Sequence, residues 1–247
     1  MHGLSASLLP LTPEFEAALV SDVSPVAWPG AGLHRKPALV KLPRDVKSRG
    51  FRASKNPGLQ AIVAKACATL IANEARLNAL DAKIGDGDTG STMAGAARTV
   101  NGNLARLPLA NTGDFFSSLS DTLSTTMGGS SGVLLAIFFA AAGTTSAAGT
   151  SWAESLQQGL AKMMEYGGAR AGDRTMIDAL EPALAALASG KSMAQAAAAA
   201  RAGANATAKM KSARAGRATY VSARNLDGIV DPGAEAVATL FESLATR

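Results

Sequence analysis

The chain has 247 residues, of which 47% are apolar and 4% aromatic, with a single cysteine, Cys67. That is enough for one sizeable core, it excludes a disulfide framework, and an alanine-rich, aromatic-poor mixture suits close-packed helices better than a β-sandwich. The formal net charge of +5 is local: eight Lys/Arg against the single acid Asp45 between His34 and Lys55 give that segment +7 and leave the rest of the chain at −2.

In chain order, the N-terminus "MHGLSASLLPL" has no basic region followed by a long apolar run and does not read as a signal peptide. Residues 1–56 carry Pro10, Pro13, Pro25, Pro29, Pro37 and Pro43, with one short helix candidate near Glu14 to Leu19. This is linker composition. The basic run within it has only Phe51 as an aromatic, so it reads as a solvated tether and not as a nucleic-acid surface. From Pro57 the pattern changes. Leu59, Ile62, Val63, Ala66, Leu70, Ile71, Leu77 and Leu80 recur at threes and fours, which predicts one amphipathic helix with Cys67 in its core face. Seven further helices are expected at about 89–105, 113–127, 130–143, 151–166, 174–189, 191–213 and 232–245, separated by Gly and Pro clusters. No alternating strand pattern is convincing. The longest apolar run, Val133 to Gly143, is too short to span a bilayer, so a cytoplasmic protein with no membrane partner is expected.

The stretch "DAKIGDGDTGSTM", residues 81–93, mixes phosphate-loop glycines with aspartates that would repel phosphate. Gly85-x-Gly87-x-x-Gly90 fits a dinucleotide fingerprint and half of a P-loop, but both need a preceding strand, and here a helix precedes. A calcium loop opening at Asp86 would need an acid where Ala97 stands; opening at Asp81 it would need one where Thr92 stands. What remains is Asp81, Asp86 and Asp88 converging on a hard divalent cation such as Mg²⁺, which in turn attracts phosphate at the helix start near Thr89. The alternative is an Asx-capped turn. Other polar joints follow: "MGGSSG" (127–132) as an anion nest or a tight turn, Asp173 as a helix cap, and Arg174 as a phosphate contact or an acid's partner. Arg217 with Tyr220, and Asp231-Pro232-Gly233 as a cap and first helical turn, complete the set. Together they suggest one rim of a helical barrel lined for a ligand.

The ordered motifs "LDAKIGDGDTGSTM", "GGSSG", "GDRTMIDAL", "GRATYV" and "DPGAEAVA" resemble the nucleotide-binding L domain of dihydroxyacetone (glycerone) kinases, over about residues 57–247. The N-terminal stretch is similar to the connector that precedes this domain in single-chain, ATP-dependent members. The resemblance implies an all-α fold, an eight-helix antiparallel barrel with an irregular N-terminal linker arm, divided into a 1–56 linker and a 57–247 nucleotide-binding domain. It implies Mg²⁺ on Asp81, Asp86 and Asp88. It implies ATP or ADP contacts at Thr89, Gly90, Ser91, Thr92, Ser130, Ser131, Gly167, Thr175, Met176, Arg217, Asp231, Pro232 and Gly233. Positions 89 and 92, often histidine and asparagine in the family, are both threonine here. Family kinases hold dihydroxyacetone on a histidine of a separate K domain, whereas this chain has only His2 and His34. The expectation is therefore the phosphoryl-donor half of a longer enzyme, whether fragment, split gene or subunit. It would bring no catalytic residue beyond the metal and nucleotide site and would need a K-type partner to be active. A homodimer is compatible with it. The alternatives are a fatty-acid kinase nucleotide domain and a non-catalytic, nucleotide-dependent interaction module.

Overall fold

The computed structural model describes residues 10–19, 21 and 50–246. The chain divides into two compact units, Met1–Arg49 and Gly50–Arg247. In the first, α1 (Pro13–Leu19) forms where the short helix is expected. The proline-rich, basic linker otherwise lies outside the described residues as far as Arg49. The second unit begins at Gly50, upstream of Pro57. Ser54 explains why: its amide donates to the Leu107 carbonyl at 3.2 Å, and its carbonyl and hydroxyl accept the amides of Leu109 and Ala110.

The second unit is all helix among the described residues: α2 (Pro57–Ala72), α3 (Glu74–Asp81), α4 (Thr89–Gly102), α5 (Thr112–Thr126), α6 (Gly129–Ala147), α7 (Trp152–Gly167), α8 (Ile177–Ala188), α9 (Met193–Thr207), the single turn α10 (Ala223–Leu226) and α11 (Pro232–Ala245). Local chemistry sets the starts. The side chains of Asn56, Asn111, Ser151, Ser192 and Asp231 each accept a first-turn amide, and Ser192 forms a reciprocal capping box with Gln195. Pro57 and Pro232 open α2 and α11, where a missing N–H costs nothing.

Three expected helices differ. The segment Leu59–Leu80 is not one helix, because it breaks at Asn73, where φ −96° and ψ 5° leave the helical range and the side-chain amide competes for the Thr69 carbonyl. The helix expected from 174 starts at Ile177, because Arg174 has φ 63°, incompatible with a right-handed turn. The helix expected to reach 213 ends at Thr207, whose buried hydroxyl donates to the Ala204 carbonyl and accepts the Asp231 amide at 2.8 Å.

Packing closes a ring: α2 against α4, α4 against α5, and so on through α6, α7, α8 and α9 to α11, which returns to α2, with α3 continuing α2 along α4 and α11. Counting α2 and α3 as one broken member, this is the expected eight-helix antiparallel barrel. Because neighbours alternate in direction, the C-termini of α3, α5, α7 and α9 share one end with the N-termini of α4, α6, α8 and α11. Small residues allow the approach. A Cβ on Gly159 would lie 2.4 Å from the Phe138 carbonyl oxygen, and one on Gly203 would lie 2.0 Å from that of Asp178. One core joins Phe138, Leu160, Met163, Ile177, Leu184, Ala196, Ala200 and Phe241. The other joins Val63, Cys67, Ala97, Val100, Phe115 and Phe116. Burial raises the Cys67 thiol pKa, as suits a packing residue. The helix carrying the Val133–Gly143 run is longer than the run: α6 has 19 residues and is apolar enough to cross a membrane by length and composition. Here it is a ring member between α5 and α7, with Phe138 and Ala142 buried.

Across α3, α9 and α11, Glu235 is 7% exposed and holds two guanidiniums: Arg76 Nη1 at 2.7 Å on Oε1 and Arg201 Nη1 at 2.5 Å on Oε2. Burial pushes its pKa up, but the hydrogen bonds from Arg201 and Arg76 outweigh that and hold it below the usual carboxylate value. A depressed carboxylate adds stability above its unfolded pKa, and that stability is lost as pH falls through its folded pKa. Glu235→Gln should cost about 1–3 kcal/mol at pH 7. Urea titrations should show the gap to wild type closing as pH drops below about 4.

Candidate functional site

The shared end of the ring gathers the expected residues. Asp81 is the last residue of α3 and is 7% exposed, while Asp86 and Asp88 are exposed in the turn that follows. One carboxylate oxygen from each lies within 4.8 Å of the others. The turn is wound around Asp81. Its carbonyl accepts the amides of Ile84 (2.9 Å) and Gly85 (2.6 Å), and its Oδ2 accepts those of Asp88 (3.0 Å) and Thr89 (3.1 Å). Gly85 is required: a Cβ there would sit 2.1 Å from Asp81 Oδ1. Gly90 is required for a different reason, since a Cβ would lie 2.0 Å from the Glu74 carbonyl oxygen, so α4 can start against α3 only without one.

The three acids repel one another. Partial loss of hydration first, then the charges of Asp86 and Asp81, raise the Asp88 pKa, and Arg217 partly offsets this. Arg217 Nη2 stands 2.8 Å from Asp86 Oδ2, the only ion pair to the cluster among the described residues. A hard divalent cation takes such a set of carboxylate oxygens and relieves the repulsion that raises Asp88, so the donor chemistry fits Mg²⁺.

Of the expected phosphate-facing residues, Thr89 gives its amide to Asp81. The Ser91 amide donates to Asn78 Oδ1 (2.9 Å), whose Nδ2 donates back to Ser91 Oγ (2.8 Å). That leaves the Gly90 amide without a partner among the described residues. Ser130 and Ser131 lie in the first turn of α6, which has no side-chain cap, so its N-terminal amides are open. Gly167 ends α7 beside Leu134. Met176 and Gly233 meet, a Cβ on Gly233 falling 3.2 Å from Met176 Cβ. Asp231 caps α11 through the Ala234 amide (2.8 Å), and burial raises its pKa to about 6, with that amide and Arg174 pulling the other way. Buried Pro232 follows as the first residue of α11.

Two expectations change. Asp173 does not cap α8; it accepts the Arg170 amide of its own turn, and Asp178 makes the equivalent contacts, accepting the amides of Gly172 (2.5 Å) and Thr175 (2.7 Å). Thr175 therefore has its amide already engaged, and its Oγ1 accepts the Ile177 amide. Arg174 forms no ion pair within the described residues, and its buried Nε and Nη1 have no hydrogen-bond partner there. It is 1% exposed and braces the turn before α11, donating from Nη2 to the Ile229 carbonyl at 2.6 Å and, at 3.4 Å, to that of Leu226. Sequence reasoning missed Asn78, Asp178 and Thr207. Asn78 and Asp178 were readable only as polar residues in otherwise apolar helix faces.

A family model described as the DAK2 domain matches residues 83–246. The chain is 45% identical over 99% of its length to a dihydroxyacetone kinase of Citrobacter freundii, and 36% identical over 99% to the human triokinase/FMN cyclase. It spans 45% of the length of each. The crystal structure of the native C. freundii kinase superposes with a TM-score of 0.76 at 43% identity, covering 95% of this chain and 42% of that one. The same enzyme in complex with AMP-PNP and Mg²⁺ gives 0.73 at 44% identity, with the same coverage.

Gly85→Ala should drive Asp81 out of the cluster. Titration with Mg²⁺ should show affinity falling at least about tenfold, while the helical circular dichroism signal is retained.

Proposed function

The chain belongs to the DAK2 domain family, and on that premise we propose that it is the Mg²⁺–ATP-binding, phosphoryl-donor half of a dihydroxyacetone (glycerone) kinase. The observation that carries this is the Asp81/Asp86/Asp88 cluster set directly at the start of α4. The open N-terminus of α6 lies at the same end of the ring. The nucleotide-bound C. freundii enzyme, whose fold this chain shares, supports the same ligand.

In this reading Asp81, Asp86 and Asp88 hold Mg²⁺, which when bound neutralises charge on the donor's phosphate oxygens. Everything else falls to positioning, which is what phosphoryl transfer chiefly requires. The amides of Gly90 and of residues 130 and 131 face the phosphates as fixed donors. Arg217 supplies a mobile positive charge. Met176 and Gly233, packed against each other beneath the Asp231 cap, form a close-fitting wall for the rest of the nucleotide. The acceptor hydroxyl and its activating base come from a K-type domain or subunit, because proximity catalysis needs both substrates held together. Alone, the chain holds the donor and does not turn over.

Calorimetry tests this. ADP should bind in Mg²⁺ and lose more than about tenfold in affinity with EDTA or in Asp86→Ala. Dihydroxyacetone phosphorylation should appear only when a K-type half is added. Nucleotide affinity indifferent to EDTA contradicts the reading.

A further inference from the structure

Arg174 joins the two segments that form the nucleotide wall in the function proposed above, and this inference rests on that reading. Its backbone immediately precedes Thr175 and Met176. Its side chain crosses to the other segment, where Nη2 donates to the Ile229 carbonyl at 2.6 Å and to that of Leu226 at 3.4 Å. Two residues beyond Ile229, Asp231 caps α11 and sets Gly233 against Met176. Two features of the arrangement are unfavourable. Arg174 is the only non-glycine residue with a positive φ among the described residues, at 63°. Its guanidinium is 1% exposed, and Nε and Nη1 have no hydrogen-bond partner among the described residues. Two carbonyl bonds do not offset the desolvation of a whole guanidinium, and a neutral donor would serve the carbonyls alone. What a neutral side chain would lack is charge. Burial lowers the Arg174 pKa, and the negative charges of Asp231 and Asp178 oppose that without hydrogen-bonding to it among the described residues.

We infer that Arg174 is a positioning residue for the nucleotide: it ties the turn bearing Thr175 and Met176 to the turn bearing Asp231 and Gly233, and its buried charge keeps the Asp231 carboxylate in place as the cap of α11. The charged groups that act on Asp231 are Arg174 before α8 and Asp178 within it. From α9 comes only Thr207, whose hydroxyl accepts the Asp231 amide, and from α11 the amides of Gly233 and Ala234. Burial drives Asp231 toward its neutral form and Asp178 adds to this, while Arg174 and the two amides oppose it, leaving the pKa at about 6. An ionised Asp231 makes a charge-assisted cap. Protonation weakens that cap, loosens Gly233 from Met176 and with it the nucleotide wall. Nucleotide affinity therefore falls as pH drops through the Asp231 pKa, and removing Arg174 raises that pKa further, so the loss begins at higher pH.

The test is calorimetry of ADP in saturating Mg²⁺ on the full chain, from about pH 5 to about pH 8. The forms are wild type, Arg174→Lys and Arg174→Gln, each with and without Asp231→Asn. The affinity ratio within each pair isolates Asp231, because protonation of ADP and of Asp88 is common to both members. The wild-type ratio should fall through a midpoint near 6 as pH drops. Arg174→Gln should move that midpoint up by about one unit or more, and Arg174→Lys, which keeps the charge, should hold it near the wild-type value. Glu235→Gln, which weakens α11 away from the wall, should leave it where it is. A midpoint unmoved in Arg174→Gln, or moved as far by Arg174→Lys or Glu235→Gln, overturns the inference and leaves the nucleotide site standing. So does a wild-type ratio that is flat with pH, an outcome that decides the matter even if Arg174→Gln does not fold. If wild type binds no Mg²⁺–ADP at all, the nucleotide reading itself fails and the inference goes with it.

Discussion

Three carboxylates held within 4.8 Å of one another are the constraint around which this end of the molecule is arranged. Left alone, such a cluster would spread or protonate. Each acid is instead restrained by a different device. Asp81 is buried and fixed by two backbone amides on one oxygen, Asp86 is paired with Arg217, and Asp88 stays exposed with its pKa raised. The amides that hold Asp81 are those of Asp88 and Thr89, so the same hydrogen bonds also fix where α4 begins. The acidic cluster and the start of α4 are consequently one structure, not two adjacent ones.

The rest of the ring serves that end through close helix approach. Glycines whose absent Cβ would collide with carbonyls set α7 against α6 and α9 against α8, and Gly90 does the same for α4 against α3. This explains an alanine-rich composition with few aromatics: the barrel gains its packing from short interhelical distances more than from large side chains. Buried polar groups then tie the inner ends of the helices. Asp178 knits the 172–175 turn, Thr207 holds the Asp231 amide, and Arg174 grips carbonyls before α11 with its backbone in a left-handed conformation.

Much of this was legible in the chain because the relevant chemistry is local. Asp-x-Asp between glycines, Asp231-Pro-Gly and the uncapped Gly-Gly-Ser-Ser turn each declare themselves over a few residues. The helical period marked most of the ring members in the same way. What escaped depends on side-chain choices or on distant partners. The period from Leu59 to Leu80 runs straight through Asn73, and only the side-chain bond to Thr69 shows the break. The grip of Arg174 depends on a positive φ and on carbonyls some fifty residues away, which a basic residue beside a glycine-rich turn does not declare. The partnership of Arg217 with Asp86 spans most of the domain and has no sequence signal beyond opposite charge.

The central claim is that the acids hold a cation and the cation holds the phosphates. Anomalous diffraction from crystals grown with Mn²⁺ and AMP-PNP tests it most directly. The account predicts a metal peak enclosed by Asp81, Asp86 and Asp88, beside the phosphates. Nucleotide bound in the ring with no peak among the three carboxylates would contradict it.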